Sequence, residues 1–255
     1  MSEQPLLSII TVTYNADAVL TATIQSIINQ TFTNYEYLII DGGSTDETLN
    51  IIRRYEHHLS YWISEPDKGL YDAMNKGLKA ARGKYIWFMN AGDKIYDKDT
   101  LAYIAESSPA NADIYYGDAL FYDAANNDLG LRSEVTPHAL PSVLTWKSFR
   151  YGMVVCHQSF IMRRDLAPLY DLSHPYSSDI DWEIRCLKAS KEIINTQAVL
   201  SRYLTGGFSR KNHGKSLKDR YLVLQKHFGV ISNIFNHIWI TLRGILFVLK
   251  RRRGY

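Results

Sequence analysis

Hydrophobic residues in this chain fall in short solid blocks, and each block stops on a polar turn. Residues 6–12 (LLSIITV) are largely β-branched and predict a first buried strand, closed by Thr13, Tyr14 and Asn15. Residues 35–40 (YEYLII) predict a second that ends at Asp41, and residues 59–64 a short third followed by Glu65, Pro66 and Asp67. Residues 85–89 (YIWFM) predict a fourth that ends at Asn90, Ala91, Gly92 and Asp93. Apolar blocks of this length, bounded by turn residues, are strands buried on both faces, the kind found in parallel sheets. Between them, residues 17–30 follow a helical pattern. So do residues 68–82, where Leu70, Ala73, Met74, Gly77, Leu78 and Ala81 share one side and Gly83 closes the helix.

Strand and helix alternating in this way predict an α/β fold, a doubly wound sheet with right-handed crossovers. Ligands of such sheets collect beyond the carboxyl ends of the strands, where Asn15, Asp41, Asp67 and Asp93 are expected to gather. After Asp93 the rhythm changes. A helix is expected over residues 99–107, a strand over 113–122, a hairpin near 126–131, a strand over 157–163, a helix over 179–190 and a strand over 193–203. Pro137, Pro141 and the isolated aromatics Trp146, Phe149 and Tyr151 predict a loop-rich region that shapes a pocket. The expected division is one catalytic domain over residues 1–210 and a C-terminal helical appendage over 211–255.

Composition narrows the function. A chain of 255 residues with 46% hydrophobic and 22% charged residues has the make-up of an ordinary folded protein. Cys156 and Cys186 form no CxxC pair, which points to neither a disulfide framework nor a zinc site and favours a reducing compartment. The N-terminus lacks the basic region of a signal peptide, so a cytoplasmic location is expected. Net charge is +3, and Lys250, Arg251, Arg252 and Arg253 alone carry +4. A local basic tail is therefore expected, with no nucleic-acid-binding face. Residues 230–249 place Ile231, Ile234, Ile238, Leu242, Ile245 and Leu249 at helical spacing, interrupted by Asn233, Asn236, His237 and Arg243. That pattern predicts an amphipathic helix lying in a membrane interface, with a packing or homodimerisation helix as the alternative.

Two common nucleotide motifs fail on spacing. Residues 41–46 (DGGSTD) are not GxGxxG, and the stretch from Gly77 to Lys84 misses the P-loop pattern. What the residues do resemble is glycosyltransferase family 2, inverting enzymes with a GT-A, Rossmann-like fold. The resemblance rests on TVTYN at residues 11–15, DGGSTDET at 41–48, EPDKGLYDAMNKGLKAARGKYI at 65–86 and NAGD at 90–93, in that order. A weaker fifth match is Ser178-Asp179, opening DIDWEIR, which looks like the acidic motif that supplies the catalytic base.

The resemblance implies a mostly parallel central sheet flanked by helices, and transfer of one sugar from a nucleotide-sugar donor, UDP-linked, to a glycan or lipid-linked acceptor of a bacterial surface polysaccharide. A departing diphosphate calls for a divalent cation, Mn²⁺ or Mg²⁺, and such oxygen-seeking ions take few carboxylates besides phosphates. Asp93 is the expected ligand. Asn90 and Gly92 stand where the family's Asp-Ala-Asp-Asp stretch carries further acids. Thr13, Tyr14, Asn15, Asp41, Asp67, Lys68, Asp72 and Asn90 are expected around the donor.

Inversion needs a base beside the incoming hydroxyl. The family match selects Asp179, while Asp181, two positions on, cannot share its helix face. His157, Gln158, Asp181 and Arg210 are candidates for the acceptor side or for a closing loop. An enzyme of this kind with a lipid-linked acceptor is expected at the cytoplasmic face of the inner membrane, held there by its C-terminal helix. The rivals are a sugar-nucleotide nucleotidyltransferase, whose glycine-rich, Arg-containing N-terminal loop is missing here, and a degenerate glycan- or membrane-binding module, supported by the acids replaced at Asn90 and Gly92.

Overall fold

The four apolar blocks become β1 (Leu7–Thr13), β2 (Tyr35–Asp41), β3 (Tyr61–Ser64) and β4 (Tyr85–Phe88), paired in parallel in the order β3-β2-β1-β4. The computed structural model describes residues 4–106, 112–207 and 212–252. Strand periodicity sends alternate side chains to opposite faces. Ile10, Val12, Leu38, Ile40, Ile86 and Phe88 enter one core, and Leu7, Ile9, Tyr37, Ile39, Tyr85 and Trp87 the other. The second core is covered by α1 (Asp17–Ile28), α2 (Thr48–Arg54) and α4 (Thr100–Glu106); α3 (Leu70–Ala80) covers the first. Gly77 is where α3 lies closest to the sheet, since a Cβ there would stand 2.6 Å from Ile10 Cγ2.

Past β4 the sheet continues with mixed direction. β8 (Phe160–Arg163) runs antiparallel between β4 and β6 (Ile114–Tyr122), and β9 (Ile193–Leu204) runs parallel to β6 on its far side. β7 (Asp128–Leu131) forms a hairpin with β6, as the sequence predicts, and leads into the short α5 (Arg132–Val135). β5 (Lys94–Ile95) follows Asp93 directly and pairs antiparallel with β9 at the opposite end of the sheet order from β3. The sheet therefore curls: one turn separates central β4 from the strand that closes the other end, and the carboxyl end of β9 is drawn back onto that turn. Asp93 sits at this junction.

On the first face, α6 (Ser178–Ala189) and α7 (His213–Phe228) join α3. Ile180, Trp182 and Ile184 of α6 and Val223 and Leu224 of α7 are buried in the same core as Phe88. Gly229, at φ 79°, then turns the chain into α8 (Val230–Arg252). The strand expected over residues 157–163 begins only at Phe160. Residues His157–Ser159 form a 3-10 turn, in which the Gln158 carbonyl accepts a bond from Trp87 Nε1 at 2.8 Å. Arg210 lies outside the described residues.

Candidate active site

The turns after β1 and β2 are laced together. Asn15 is left-handed, at φ 45°. Its N–H donates to Ser44 Oγ at 2.8 Å, and its side-chain carbonyl accepts from the Thr45 N–H at 2.9 Å. Asp41 is fully buried and accepts four bonds: from the Gly43 and Ser44 N–H groups at 3.0 and 2.8 Å, and from the Ser44 and Ser64 hydroxyls at 2.5 and 2.6 Å. Its carboxylate closes the turn, which holds the backbone of Gly42 and Gly43 rigid. The Asp67 carboxylate lies directly over Gly42, in space that any Cβ at position 42 would take, and the Tyr14 ring is beside it. Tyr14 is 63% exposed, an aromatic face free to stack. Asp67 Oδ1 accepts the Gly69 N–H at 2.8 Å, and Asp72, in the first turn of α3, accepts the Lys68 N–H at 3.0 Å. The Lys68 side chain is exposed. Thr13 ends β1 and Asn90 lies two residues past the end of adjacent β4, and Thr13 Oγ1 and Asn90 Oδ1 are buried without a hydrogen-bond partner.

Asp93 is 5% exposed and sits on a turn set by Gly92, whose φ of 100° suits glycine. The Gly92 N–H donates to Thr23 Oγ1 at 2.9 Å and its carbonyl accepts the Tyr122 hydroxyl, so the turn is anchored on both sides. Asp93 Oδ1 accepts the Leu204 N–H at 3.0 Å, and the Gln158 side chain also bonds to the carboxylate. Burial nevertheless pushes its pKa up to about 8, against the pull of those two bonds. No three His, Cys, Asp or Glu side chains cluster as a metal cage among the described residues. The donor set present is a buried carboxylate with the unpartnered amide oxygen of Asn90 three residues before it. This fits a hard divalent cation that arrives with phosphate oxygens of its own.

On α6, Asp179 is half-buried, and burial raises its pKa against hydrogen bonds from the Ile180 N–H and the Tyr71 hydroxyl and the charge of Arg220 on α7. Tyr203, near the end of β9, feels both Asp93 and Asp179, together with Cys156 and Arg132. The two expected carboxylates thus act on one and the same tyrosine. Asp181 stands apart from them. It is fully buried on another side of α6 and bonds Arg185 at 2.6 Å, His227 at 2.8 Å and Lys226 at 3.1 Å. His157 packs among Phe88, Tyr170 and Trp182, bonds the Tyr170 hydroxyl at 2.7 Å and has its pKa pushed down to about 3 by burial. It is a neutral core histidine, whereas its neighbour Gln158 does reach Asp93.

Sequence reasoning missed Glu183, Arg132, Arg220 and Tyr203. Glu183 lies one helical turn after Asp179 on the same face, fully buried, with neither carboxylate oxygen hydrogen-bonded. Its i,i+4 spacing was visible in DIDWE. The other three come from separate elements and carry no local signal.

The family model for Glycosyl transferase family 2 matches residues 8–167. A PGL/p-HBAD biosynthesis glycosyltransferase of Mycobacterium bovis is 33% identical over 210 residues, covering 78% of this chain and 74% of that protein. The Escherichia coli UDP-Glc:alpha-D-GlcNAc-diphosphoundecaprenol beta-1,3-glucosyltransferase WfgD is 25% identical over 249 residues, 96% and 94% of the two chains. Among solved structures, S. aureus TarS 1-349 in complex with UDP superposes with a TM-score of 0.64 at 20% identity, over 86% of this chain and 65% of that one, so the chain spans just under two thirds of its length. The mannosyltransferase PcManGT of Pyrobaculum calidifontis, in complex with GDP-Man and Mn2+, has a TM-score of 0.64 at 13% identity over 100% and 77% of the two chains. These two likenesses establish the GT-A fold.

Proposed function

The chain belongs to glycosyl transferase family 2, and from that premise we propose that it moves a single sugar, with inversion, from a UDP-sugar to a hydroxyl of a lipid-linked acceptor in surface polysaccharide or glycolipid synthesis. The observation that supports the reading is that Asp93, held by the Leu204 N–H at the end of β9, and Asp179, at the start of α6, both act on Tyr203 of that strand. The relatives act on material of this kind: WfgD, by its name, takes UDP-Glc and a diphosphoundecaprenol-linked GlcNAc.

In this reading the base stacks on Tyr14 beside Asp67 and the Gly42 backbone. Thr13, Asn15, Asp41, Lys68, Asp72 and Asn90 build or line the donor site. Asp93, with Asn90 beside it, would hold Mn²⁺ or Mg²⁺, whose chemistry is to offset charge on the departing diphosphate. Asp179 takes the proton of the acceptor hydroxyl. That oxygen forms the new bond to the anomeric carbon from the face opposite the diphosphate, and the nucleoside diphosphate leaves with the electron pair. A base whose pKa is raised toward the working pH suits this task.

For location, we take α8 to lie on the cytoplasmic face of the inner membrane. Ile234, Phe235, Ile238, Trp239, Leu242 and Ile245 are all close to half exposed or more. By length and composition the helix is apolar enough to cross a membrane. Its inner face, however, is bound to protein, Asn233 Nδ2 to the Tyr221 carbonyl and Arg243 to the Tyr151 carbonyl, which favours lying flat.

The test compares Asp179→Asn with Asp181→Asn, assayed with Mn²⁺ where both are folded. Transfer is expected to fall by about 10²-fold or more in Asp179→Asn, with UDP affinity kept, and to survive in Asp181→Asn. A larger loss in Asp181→Asn would reverse the assignment.

A further inference from the structure

Three helices turn an arginine toward one interior. Arg132 of α5 is 7% exposed and donates to the Met153 and Val154 carbonyls. Arg243 of α8 points away from that helix's exposed apolar face, with Nη2 2.9 Å from the Tyr151 carbonyl and 3.1 Å from His138 Nδ1. Arg220 of α7 lines a cleft. All three act on His138, whose pKa is pushed down to about 3 by burial and by their charges. Among the described residues none of the three makes an ion pair within 4.0 Å, although Glu183 and Asp118 act on Arg132 and Arg220 acts on Asp179 from further off, and the Nε atoms of Arg220 and Arg243 are buried without a partner. Like charges gathered in a partly buried place gain from an anion that joins them. Guanidinium groups suit phosphate above all, through paired N–H donors.

The cleft that Arg220 lines encloses about 550 Å³ between the β6–β7 hairpin, the end of β9 and α7. Phe121, Leu129, Val135 and Leu217 give it apolar walls, and Tyr203 and Arg220, which both feel Asp179, stand on the side of the base. It therefore offers apolar surface beside an arginine that acts on the proposed base.

We propose that this cleft and its arginines are the acceptor site, and that they take a sugar carried on a prenyl diphosphate. The diphosphate meets Arg220, with Arg132 and Arg243 behind it; the chain runs along Phe121, Leu129 and Val135, and the sugar reaches toward Asp179. Arg243 ties the site to the helix taken to lie on the membrane, the side from which such a lipid arrives. The proposal rests on the reading of Asp179 as base and deepens it.

The test is calorimetric titration of the full chain with farnesyl diphosphate, in saturating UDP so that the donor site is filled. Farnesyl diphosphate is expected to bind at least tenfold tighter than either farnesol or pyrophosphate. Arg220→Gln, Arg243→Gln and the wall-filling Val135→Trp should each weaken it at least tenfold with UDP affinity unchanged. Equal binding of the three probes to the parent overturns the proposal whatever the variants do. So does a loss of binding in saturating UDP, or unchanged binding in folded Arg220→Gln and Val135→Trp. A wrong assignment of Asp179 would instead appear as undiminished transfer by Asp179→Asn and would leave these titrations as they are.

Discussion

At the scale of single residues the site is a set of carboxylates placed where water cannot stabilise their charge. Burial raises the pKa of Asp93, Asp179 and Glu183 alike, and the charge of Asp179, one turn earlier, raises Glu183 further. Glu183 is the extreme case: fully buried and without a hydrogen-bond partner, it faces Asp179, Arg132, Cys156, Tyr170 and Cys186. Its folded pKa lies well above the ordinary carboxylate value, so folding takes up a proton there at any pH between the unfolded and folded values. The stability linked to it is full below the unfolded pKa and is lost as pH rises toward the folded one, by up to about 1.4 kcal/mol per pH unit. Glu183→Gln keeps the shape and removes the proton uptake. Its Tm relative to the parent should therefore climb between pH 5 and pH 8, by about 2–4 °C for each kcal/mol recovered. Parallel Tm curves for the two proteins would show that Glu183 is ionised in the fold. Residues of this kind were partly legible in advance. Asp93 and Asp179 stand at a strand end and a helix start, positions that a sequence reveals, whereas the pKa of a buried acid depends on neighbours from other elements.

At the scale of elements, the apolar blocks were legible because a strand buried on both faces leaves a continuous signature in its own sequence. α7 was not. Its buried residues, Ser216, Asp219, Val223 and Leu224, include as many polar as apolar side chains, because it is held to the core partly by charge. Asp219 bonds His174 at 2.8 Å and the Tyr176 N–H at 2.9 Å, both just before α6. Asp181 does the same from α6 to Lys226 and His227. Burial alone would raise the Asp181 pKa; the bond from His227 and the charges of Arg185 and Lys226 outweigh it and hold the carboxyl well below the ordinary range. Its contribution is present above the unfolded pKa and lost as pH falls. Removing one partner of a buried ion pair costs 3–5 kcal/mol, and since Arg185 and Lys226 are partly exposed the lower end applies. Asp181→Asn should therefore lose about 3 kcal/mol at pH 7 by urea unfolding, with the gap to the parent narrowing below pH 4. A gap that stays constant down to pH 3 would mean that the charge of Asp181 contributes nothing.

At the scale of the whole molecule, one helix has two unlike faces and each has its own work. The inner face of α8 packs on residues around Tyr151 and, on α7, around Tyr221 and delivers Arg243 to the arginine cluster; the outer face leaves Ile238 53% and Ile245 52% exposed. Apolar surface on this scale calls for a partner. The cations Lys250, Arg251 and Arg252 at the end of the same helix, with Arg253 next in the sequence, make an anionic bilayer the natural one, each adding roughly 1 kcal/mol near the surface. Truncating α8 would also remove Arg243, so the informative variant is Ile238→Glu with Ile245→Glu, which spoils the outer face and leaves the inner one whole. Full burial of one such side chain contributes about 1.5–3 kcal/mol, so the double variant should bind vesicles containing phosphatidylglycerol at least 100-fold more weakly in a flotation assay. Farnesyl diphosphate affinity should stay at the parent value, because the inner face is untouched. Raising the salt should weaken the parent's binding through its basic end without abolishing it. Equal flotation of parent and double variant would remove the membrane from the account and leave α8 as a helix that serves the acceptor cleft alone.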